Sequence, residues 1–491
     1  MRRFILTIAA FLMMMSLMGV KAEASIKKVT VHVKTYGSQI QECMIDHIIL
    51  EYSSPVSLPK SAGKRKKLYT FTDRWYGGTR KIKAVYTNNK AKTRASMKSK
   101  KGRFVIVQFQ PIENPSYDSE TFQKGLHAGN ATQYVKEEDR SYKRFNYNAT
   151  IEFTQNKNLY TKNGKLVKKA GRIKIKNKQI QFDDVTYPKI ITDSVANTTD
   201  IPFSYRYTDH KKKGTVEKLS YETVDYTTKD GVIYKKEALV YLPYGYYHNP
   251  DKKYPILYYM HGTGGSIEGS MNMHLDRLMD NMIQDGMIEP IILVCCSYYT
   301  NNPDKDREKG FREQDVYDQE FRNDLVRAVE SKYRTYAENV TDDGLKASRQ
   351  YRAFTGLSAG AMVTWQELLD NSDLIANFIP LSGLIGNMYY ENGDYIMNPV
   401  GTQMVIDRLE QLDAQNMSYR IVECCGTEDD QMTEYVKTQY QRFMEHPTLF
   451  TPDRYRLLWT PGCGHVSKAF DDGLYSALPM VFPGEYYRNQ Q

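Results

Sequence analysis

The sequence predicts two domains of different class: an all-β sandwich over residues 25–213, then an α/β domain over 214–491 built on a mainly parallel sheet. Three observations carry this. Beyond about residue 215, apolar runs of strand length alternate with helical patterns, whereas the preceding part shows only short strands. Charge divides at the same place. Residues 25–215 hold 38 Lys+Arg against 16 Asp+Glu, and residues 216–491 hold 26 against 41, so the modest overall charge of +9 conceals a basic part and an acidic part. Finally, Gly356-Leu357-Ser358-Ala359-Gly360 stands between a strand-like run, Tyr351 to Thr355, and a helical run, Ala361 to Asp370.

Taken in order, the chain begins with a targeting pattern. Arg2 and Arg3 precede an apolar run, Phe4 to Val20, and Ala22-Glu23-Ala24 fits an A-x-A cleavage site. Residues 1–24 are therefore expected to be a signal peptide and the product to be secreted. No later stretch is long and apolar enough to cross a bilayer.

In the basic part, Val29, Val31 and Val33 alternate with Thr30 and His32, Phe104 to Phe109 reads as a buried strand, and Ile173 and Ile175 alternate with lysines before Ile180 and Phe182. Asn163-Gly164 is a hairpin signal. No long 3.6-residue pattern interrupts these strands, which suggests a sandwich. Runs such as Lys64-Arg65-Lys66-Lys67 and Lys211-Lys212-Lys213 suit a solvated basic face. Attraction to an anionic surface, such as cell-wall polymer or acidic polysaccharide, is the functional alternative. Nucleic acid is not expected, because export argues against it and no zinc spacing or recognition-helix pattern is present.

The acidic part opens with two strands, Tyr221 to Tyr226 and Val232 to Leu242, around Lys229-Asp230-Gly231. Further strands are expected at Ile256 to Met260, Ile291 to Cys296, Phe378 to Leu381, Tyr419 to Cys425 and Tyr455 to Thr460. Leu275, Leu278, Met279, Met282 and Ile283 share one helical face stopped by Gly286, and Phe321, Leu325, Val329 and Tyr333 mark another helix.

In such a sheet, ligands bind at the carboxyl ends of the strands. There G-x-S-x-G is the turn that lifts a serine hydroxyl above a parallel sheet, which makes Ser358 the candidate nucleophile. His261-Gly262-Thr263-Gly264-Gly265 follows the Ile256 strand. Its turn can offer the Thr263 N–H to a developing oxyanion, together with the N–H of Ala359. His261, lying before the serine, is read as a structural turn histidine. Two histidines follow Ser358. His446 precedes Pro447 at a helix end, whereas His465 lies just past the last strand, where a base belongs. The acid should come from Glu428-Asp429-Asp430, after the Tyr419 strand; both aspartates qualify, with Glu428 a lesser candidate.

At this point the stretch from Ala238 to Phe482 resembles the feruloyl esterase domains of bacterial xylanases, carbohydrate esterase family 1 in the esterase D group. The resemblance rests on Val240-Tyr241-Leu242-Pro243-Tyr244-Gly245-Tyr246, on Tyr254-Pro255-Ile256-Leu257-Tyr258 running into His261-Gly262, and on Glu330-Ser331-Lys332-Tyr333. It continues through the serine elbow, Pro380-Leu381-Ser382-Gly383, Gly426-Thr427-Glu428-Asp429 and Gly464-His465. It implies an α/β-hydrolase fold, assigns the acid to Asp429, and implies hydrolysis of feruloyl or hydroxycinnamoyl esters on plant polysaccharide or its fragments. The order of elements in the basic part likewise resembles the immunoglobulin-like domain that precedes the catalytic domain in some secreted esterases. The family's usual S-M-G-G is here Ser358-Ala359-Gly360-Ala361, Leu384-Ile385-Gly386 replace an aromatic after L-S-G, and Val466-Ser467 follow the histidine. These departures touch the phenolic pocket rather than the triad.

Cys43, Cys295, Cys296, Cys424, Cys425 and Cys463 are expected to be mainly small apolar core residues, with a Cys425–Cys463 bridge as an alternative. No metal spacing and no cofactor motif is present. Competing readings are an acetyl or other short-chain carbohydrate esterase, an acyltransferase on the same fold, and a non-catalytic wall-binding protein.

Overall fold

A computed structural model of the chain describes residues 25–35, 43–73, 78–111, 151–176, 179–182, 190–202, 205, 212–300, 307–391, 394–399 and 401–489. The expected signal peptide and Lys211 lie outside them. The chain divides into two compact units. The first comprises Met1–Lys34, Met44–Ala131 and Asn146–Asp183, and the bulk of the second is Asp184–Gln491.

The first unit holds β1 (Ile26–Thr35), β2 (Cys43–Tyr52), β3 (Tyr69–Asp73), β4 (Gly78–Thr79), β5 (Ile82–Asn88), β6 (Phe104–Phe109), β7 (Ile151–Gln155), β8 (Leu159–Tyr160), β9 (Leu166–Lys168), β10 (Gly171–Ile173) and β11 (Ile180–Phe182). Five of these form a sheet in the order β11-β1-β2-β6-β5, and four form a second, β10-β7-β3-β4. Period-2 alternation fills the space between them: Tyr69, Phe71 and Asp73 are buried while Thr70 and Thr72 are not. The Phe71 ring, from the four-stranded sheet, lies 4.6 Å from Phe109 of the five-stranded one. That contact makes the pair of sheets a sandwich. Asn163-Gly164 closes the β8–β9 hairpin, with Gly164 at φ +75°. Lys64-Arg65-Lys66 lie on a five-residue helix, Ala62–Lys66, that buries nothing.

The second unit is organised on nine strands: β12 (Val195–Asn197), β13 (Thr215–Val224), β14 (Ile233–Leu242), β15 (Ile256–Met260), β16 (Ile292–Cys296), β17 (Arg352–Leu357), β18 (Asn377–Leu381), β21 (Arg420–Gly426) and β22 (Tyr455–Thr460). A separate hairpin pairs β19 (Gly386–Glu391) with β20 (Asp394–Pro399). The sheet order is β12-β22-β21-β18-β17-β15-β16-β14-β13. Pairing is antiparallel at β13–β14 and β14–β16, and parallel from β16 across to β12. Each central strand buries both faces. Ile256, Tyr258 and Met260 enter one hydrophobic cluster, and Leu257 and Tyr259 enter the other. The adjacent cysteines obey the same alternation: Cys296 and Cys425 face the first cluster, Cys295 and Cys424 the second. This is the α/β-hydrolase-type domain and the preceding β-sandwich that the sequence predicts.

Three details differ from the sequence reading. The expected boundary at residue 213 falls after a segment that belongs to the second unit: β12 pairs with Leu457–Trp459, and Ile191, Ile201 and Tyr205 pack into its core. A three-residue edge strand with an exposed Val195 has no periodicity to detect. The helix marked by Phe321, Leu325, Val329 and Tyr333 contains one π turn, Phe321–Leu325, between Tyr317–Glu320 and Val326–Lys332. Strict four-residue spacing drifts around a 3.6-residue helix, and the wider π turn keeps all four side chains buried. Finally, Cys425 and Cys463 are both buried, and no disulfide joins them.

Candidate active site

The register brings the parallel strands to a common edge. Met260 pairs with Gly356, Leu357 with Leu381, and Gly426 with Thr460. The loops that leave this edge bear every candidate residue.

Ser358 lies between β17 and the helix Ala359–Asn371, at φ 54° and ψ −119°. That is a strained conformation for a residue with a side chain. Its glycine neighbours are forced by close backbone approach. A Cβ on Gly356 would stand 2.4 Å from the Gly360 carbonyl oxygen, and one on Gly360 would stand 2.5 Å from that of Met260. Gly383 is confined in the same way, with the Ala361 methyl 2.4 Å from where its Cβ would be. The motif is therefore a packing requirement before it is a chemical one.

The loops after β21 and β22 are stitched together. The Glu428 N–H donates to the Cys463 carbonyl at 2.9 Å, and the Gly462 N–H to the Thr427 hydroxyl at 2.8 Å. Gly426 has no room for a side chain, because its Cβ would meet the Cys463 carbonyl oxygen at 2.1 Å. So the backbone of Cys463 fastens these loops. Burial pushes the Cys425 thiol up to about 12 and raises that of Cys463 as well.

The stitching brings His465 onto Ser358. Its Nε2 lies 2.9 Å from the serine Oγ, and its Nδ1 lies 2.8 Å from Asp429 Oδ2. The other Asp429 oxygen accepts from the N–H groups of Gln431 and Met432, at 3.1 and 3.0 Å. A carboxylate only accepts, so Nδ1 carries the imidazole proton and Nε2 is left to accept from the serine hydroxyl. Phe470 meets the imidazole edge-on at 5.2 Å. Asp429 is fully buried, whereas Asp430 and Glu428 are exposed. His446 lies in the turn just past the helix Thr433–Phe443 and is not part of the cluster.

The turn after β15 abuts the serine. A Cβ on Gly262 would lie 3.3 Å from that of Ser358. The Thr263 N–H makes no hydrogen bond among the described residues, and the Ala359 N–H is one of the unpaired donors of a helix N-terminus. His261 is buried, with Nδ1 2.8 Å from the Gly262 carbonyl and Nε2 2.8 Å from the Ser297 hydroxyl. Burial lowers its pKa to about 4, so it is neutral near pH 7 and holds the turn. The sequence reading overlooked Ser297 and Tyr299, although they follow β16 at the same sheet edge and could have been nominated by that position. Leu384 and Ile385 are withdrawn into the core. Among the described residues no group of three or more His, Cys, Asp or Glu is placed to hold a metal ion, and no helix is long and apolar enough to cross a membrane.

A family model described as "Esterase Ig-like N-terminal domain" matches residues 43–168, and one described as "Putative esterase" matches residues 235–449. Endo-1,4-beta-xylanase Y of Acetivibrio thermocellus is 30% identical over 262 residues, which is 52% of this chain and 23% of that protein. An endo-1,4-beta-xylanase/feruloyl esterase of Xylanibacter ruminicola is 30% identical over 154 residues, 30% of this chain and 19% of that protein. The chain thus spans about a fifth of the length of these curated relatives. A mutant feruloyl esterase module from Clostridium thermocellum, solved with sinapinate, is 29% identical with a TM-score of 0.48, covering 60% of this chain and 98% of that one. The chain is thus similar to the esterase Ig-like N-terminal family over residues 43–168 and to the esterase family over residues 235–449, in the same order as its β-sandwich and its α/β-hydrolase-type domain.

Proposed function

We propose that the chain is a secreted serine esterase that removes feruloyl or related hydroxycinnamoyl groups from plant cell-wall polysaccharide or its fragments. The observation that carries the chemistry is the continuous relay Ser358–His465–Asp429, with links of 2.9 and 2.8 Å, on a strained turn. In this reading Ser358 Oγ attacks the ester carbonyl carbon as His465 Nε2 takes its proton. The oxyanion is held by the N–H groups of Ala359 and Thr263, and Asp429 stabilises the imidazolium. The C–O bond to the sugar then breaks and His465 returns the proton to the departing sugar oxygen. Water, deprotonated by the same imidazole, cleaves the acyl-enzyme to the free acid and restores Ser358.

The substrate class is supported by the xylanase and feruloyl esterase names of the two relatives. Export is supported by the basic, apolar and A-x-A pattern of residues 1–24. A short-chain ester is favoured instead by one feature: Leu384 and Ile385, which replace the family's aromatic, are buried in the core. Hydrolysis of feruloyl, acetyl and short-chain aryl esters side by side separates the two. A higher kcat/KM for the feruloyl ester is expected; a preference for acetyl esters would assign the short-chain reading. Burst kinetics with and without sugar acceptors would expose an acyltransferase.

A further inference from the structure

Thr263 N–H and the Gly262 carbonyl belong to one peptide group. That group is planar and trans, so fixing the direction of its oxygen fixes the direction of its N–H, which points the opposite way. The oxygen is fixed by His261, whose Nδ1 lies 2.8 Å from it, and by the Gly265 N–H at 3.0 Å. The imidazole can donate from Nδ1 only while Nε2 accepts. Ser297 enforces that: its hydroxyl accepts from the Tyr299 N–H at 3.1 Å and so directs its own proton to His261 Nε2, at 2.8 Å. The Ser297 carbonyl is itself anchored by Lys236 Nζ at 2.8 Å, and Lys236 is a buried partner of Glu320.

The far side of the turn is held by the same segment. The Gly264 N–H donates to the Tyr299 hydroxyl at 3.0 Å, and the Tyr299 ring stacks on His261 at 5.3 Å and 20°. Gly310 leaves the ring no slack, since a Cβ there would stand 2.5 Å from Tyr299 Cε1. Thr263 is therefore clamped from both sides by two residues of one strand end.

We propose that Ser297 and Tyr299 are positioning residues for ester hydrolysis: they set the His261 tautomer and the turn so that the Thr263 N–H is aimed at the oxyanion formed at Ser358. The proposal rests on the esterase reading above. Because the oxyanion exists only in the transition state, mis-aiming its donor lowers kcat and leaves KM in place. Removing a donor outright typically costs about 10²–10³ in kcat, so the loss of its alignment is expected to cost about tenfold or more.

The test uses the full chain and a small soluble aryl ester. Ser297→Ala is expected to lower kcat at least about tenfold with KM within about twofold. Ser297→Thr, which keeps the hydroxyl, should recover most of the rate. Tyr299→Phe keeps the ring and loses the hydroxyl that accepts from Gly264 N–H and from the Tyr298 hydroxyl, so a smaller fall in kcat is expected, again at constant KM. Thermal unfolding checks that each variant is folded, and Tyr299→Phe decides the matter if Ser297→Ala is not. An active wild type with unchanged kcat in Ser297→Ala and Tyr299→Phe, or with losses confined to KM, overturns the proposal. A wild type that hydrolyses no ester and whose Ser358 takes up no phosphonate reagent overturns the esterase reading, and this inference with it.

Discussion

The turn around Ser358 and the lysine-rich part of the first unit stand at opposite extremes of how much one residue decides. At the turn, backbone passes backbone so closely that Gly356, Gly360, Gly383 and Gly426 each exclude a Cβ. Every position there is dictated by the neighbouring strand end. Among the described residues the lysines of the first unit are exposed apart from the half-buried Lys168, and Lys64, Arg65 and Lys66 lie on a helix with no buried residue. There only the balance of charge carries information. Position matters where packing is close; number matters where charge is solvated.

The largest expected effect sharpens this within two adjacent residues. Asp429 and Asp430 are adjacent, but only Asp429 is buried and bonded to His465. Asp429→Asn should lower kcat about 10⁴-fold by favouring the wrong imidazole tautomer. Asp430→Asn should leave the rate nearly unchanged. Steady-state kinetics on one ester checks both.

A second contrast is electrostatic. Glu423 of β21 is buried, accepting from Tyr455 at 2.7 Å and Gln439 at 2.8 Å, and burial pushes its carboxyl from 4.5 up to about 8. A carboxyl raised in the folded state holds its proton there but loses it in the unfolded chain. Its stabilising contribution is full below about pH 4.5 and is lost as pH rises through about 8. Glu423→Gln should remove that loss, up to about 1.4 kcal/mol per pH unit. Denaturant midpoints of wild type and variant, compared between pH 5 and 8, should converge or cross in the variant's favour as pH rises.

Gly360→Ala against Lys66→Ala tests the comparison directly. The first places a methyl 2.5 Å from a backbone oxygen and should cost about 1–3 kcal/mol. The second should stay within about 0.5 kcal/mol. Chemical denaturation measures both, and equal costs would break the distinction. The smallest effect per residue is collective. If the basic part, 38 Lys+Arg against 16 acids, contacts an anionic polymer, retention on acidic polysaccharide should fade over several tenths molar salt, because surface charge is screened within about 10 Å at 0.1 M. Retention that ignores salt, or none in dilute buffer, returns the lysines to a solvated face.

The same division explains what was legible in the sequence. Ile256–Met260 and Tyr455–Thr460 were predicted to the residue, because buried apolar strands in a parallel sheet leave an unbroken signature. The candidates Ser358 and His465 were legible from spacing and chain order. Asp429 needed the family resemblance, since burial, which separates it from Asp430, has no local sequence mark. The first half of β13 was missed because Val216-Glu217-Lys218 reads as polar surface. Ser297 and Tyr299 were missed because their partners, His261 and Gly264, lie more than thirty residues away. The Cys425–Cys463 alternative failed because two loops can approach through backbone alone.

The central claim is that Ser358 is the nucleophile of an ester hydrolase. Its most direct test is to label the full chain with a fluorophosphonate, map the modified peptide by mass spectrometry, and measure ester turnover of the wild type and of Ser358→Ala. The account predicts one adduct, on Ser358, loss of turnover in step with labelling, and a folded Ser358→Ala protein slower by about 10⁴-fold or more. Labelling elsewhere, or a folded Ser358→Ala variant that keeps wild-type turnover, would contradict it.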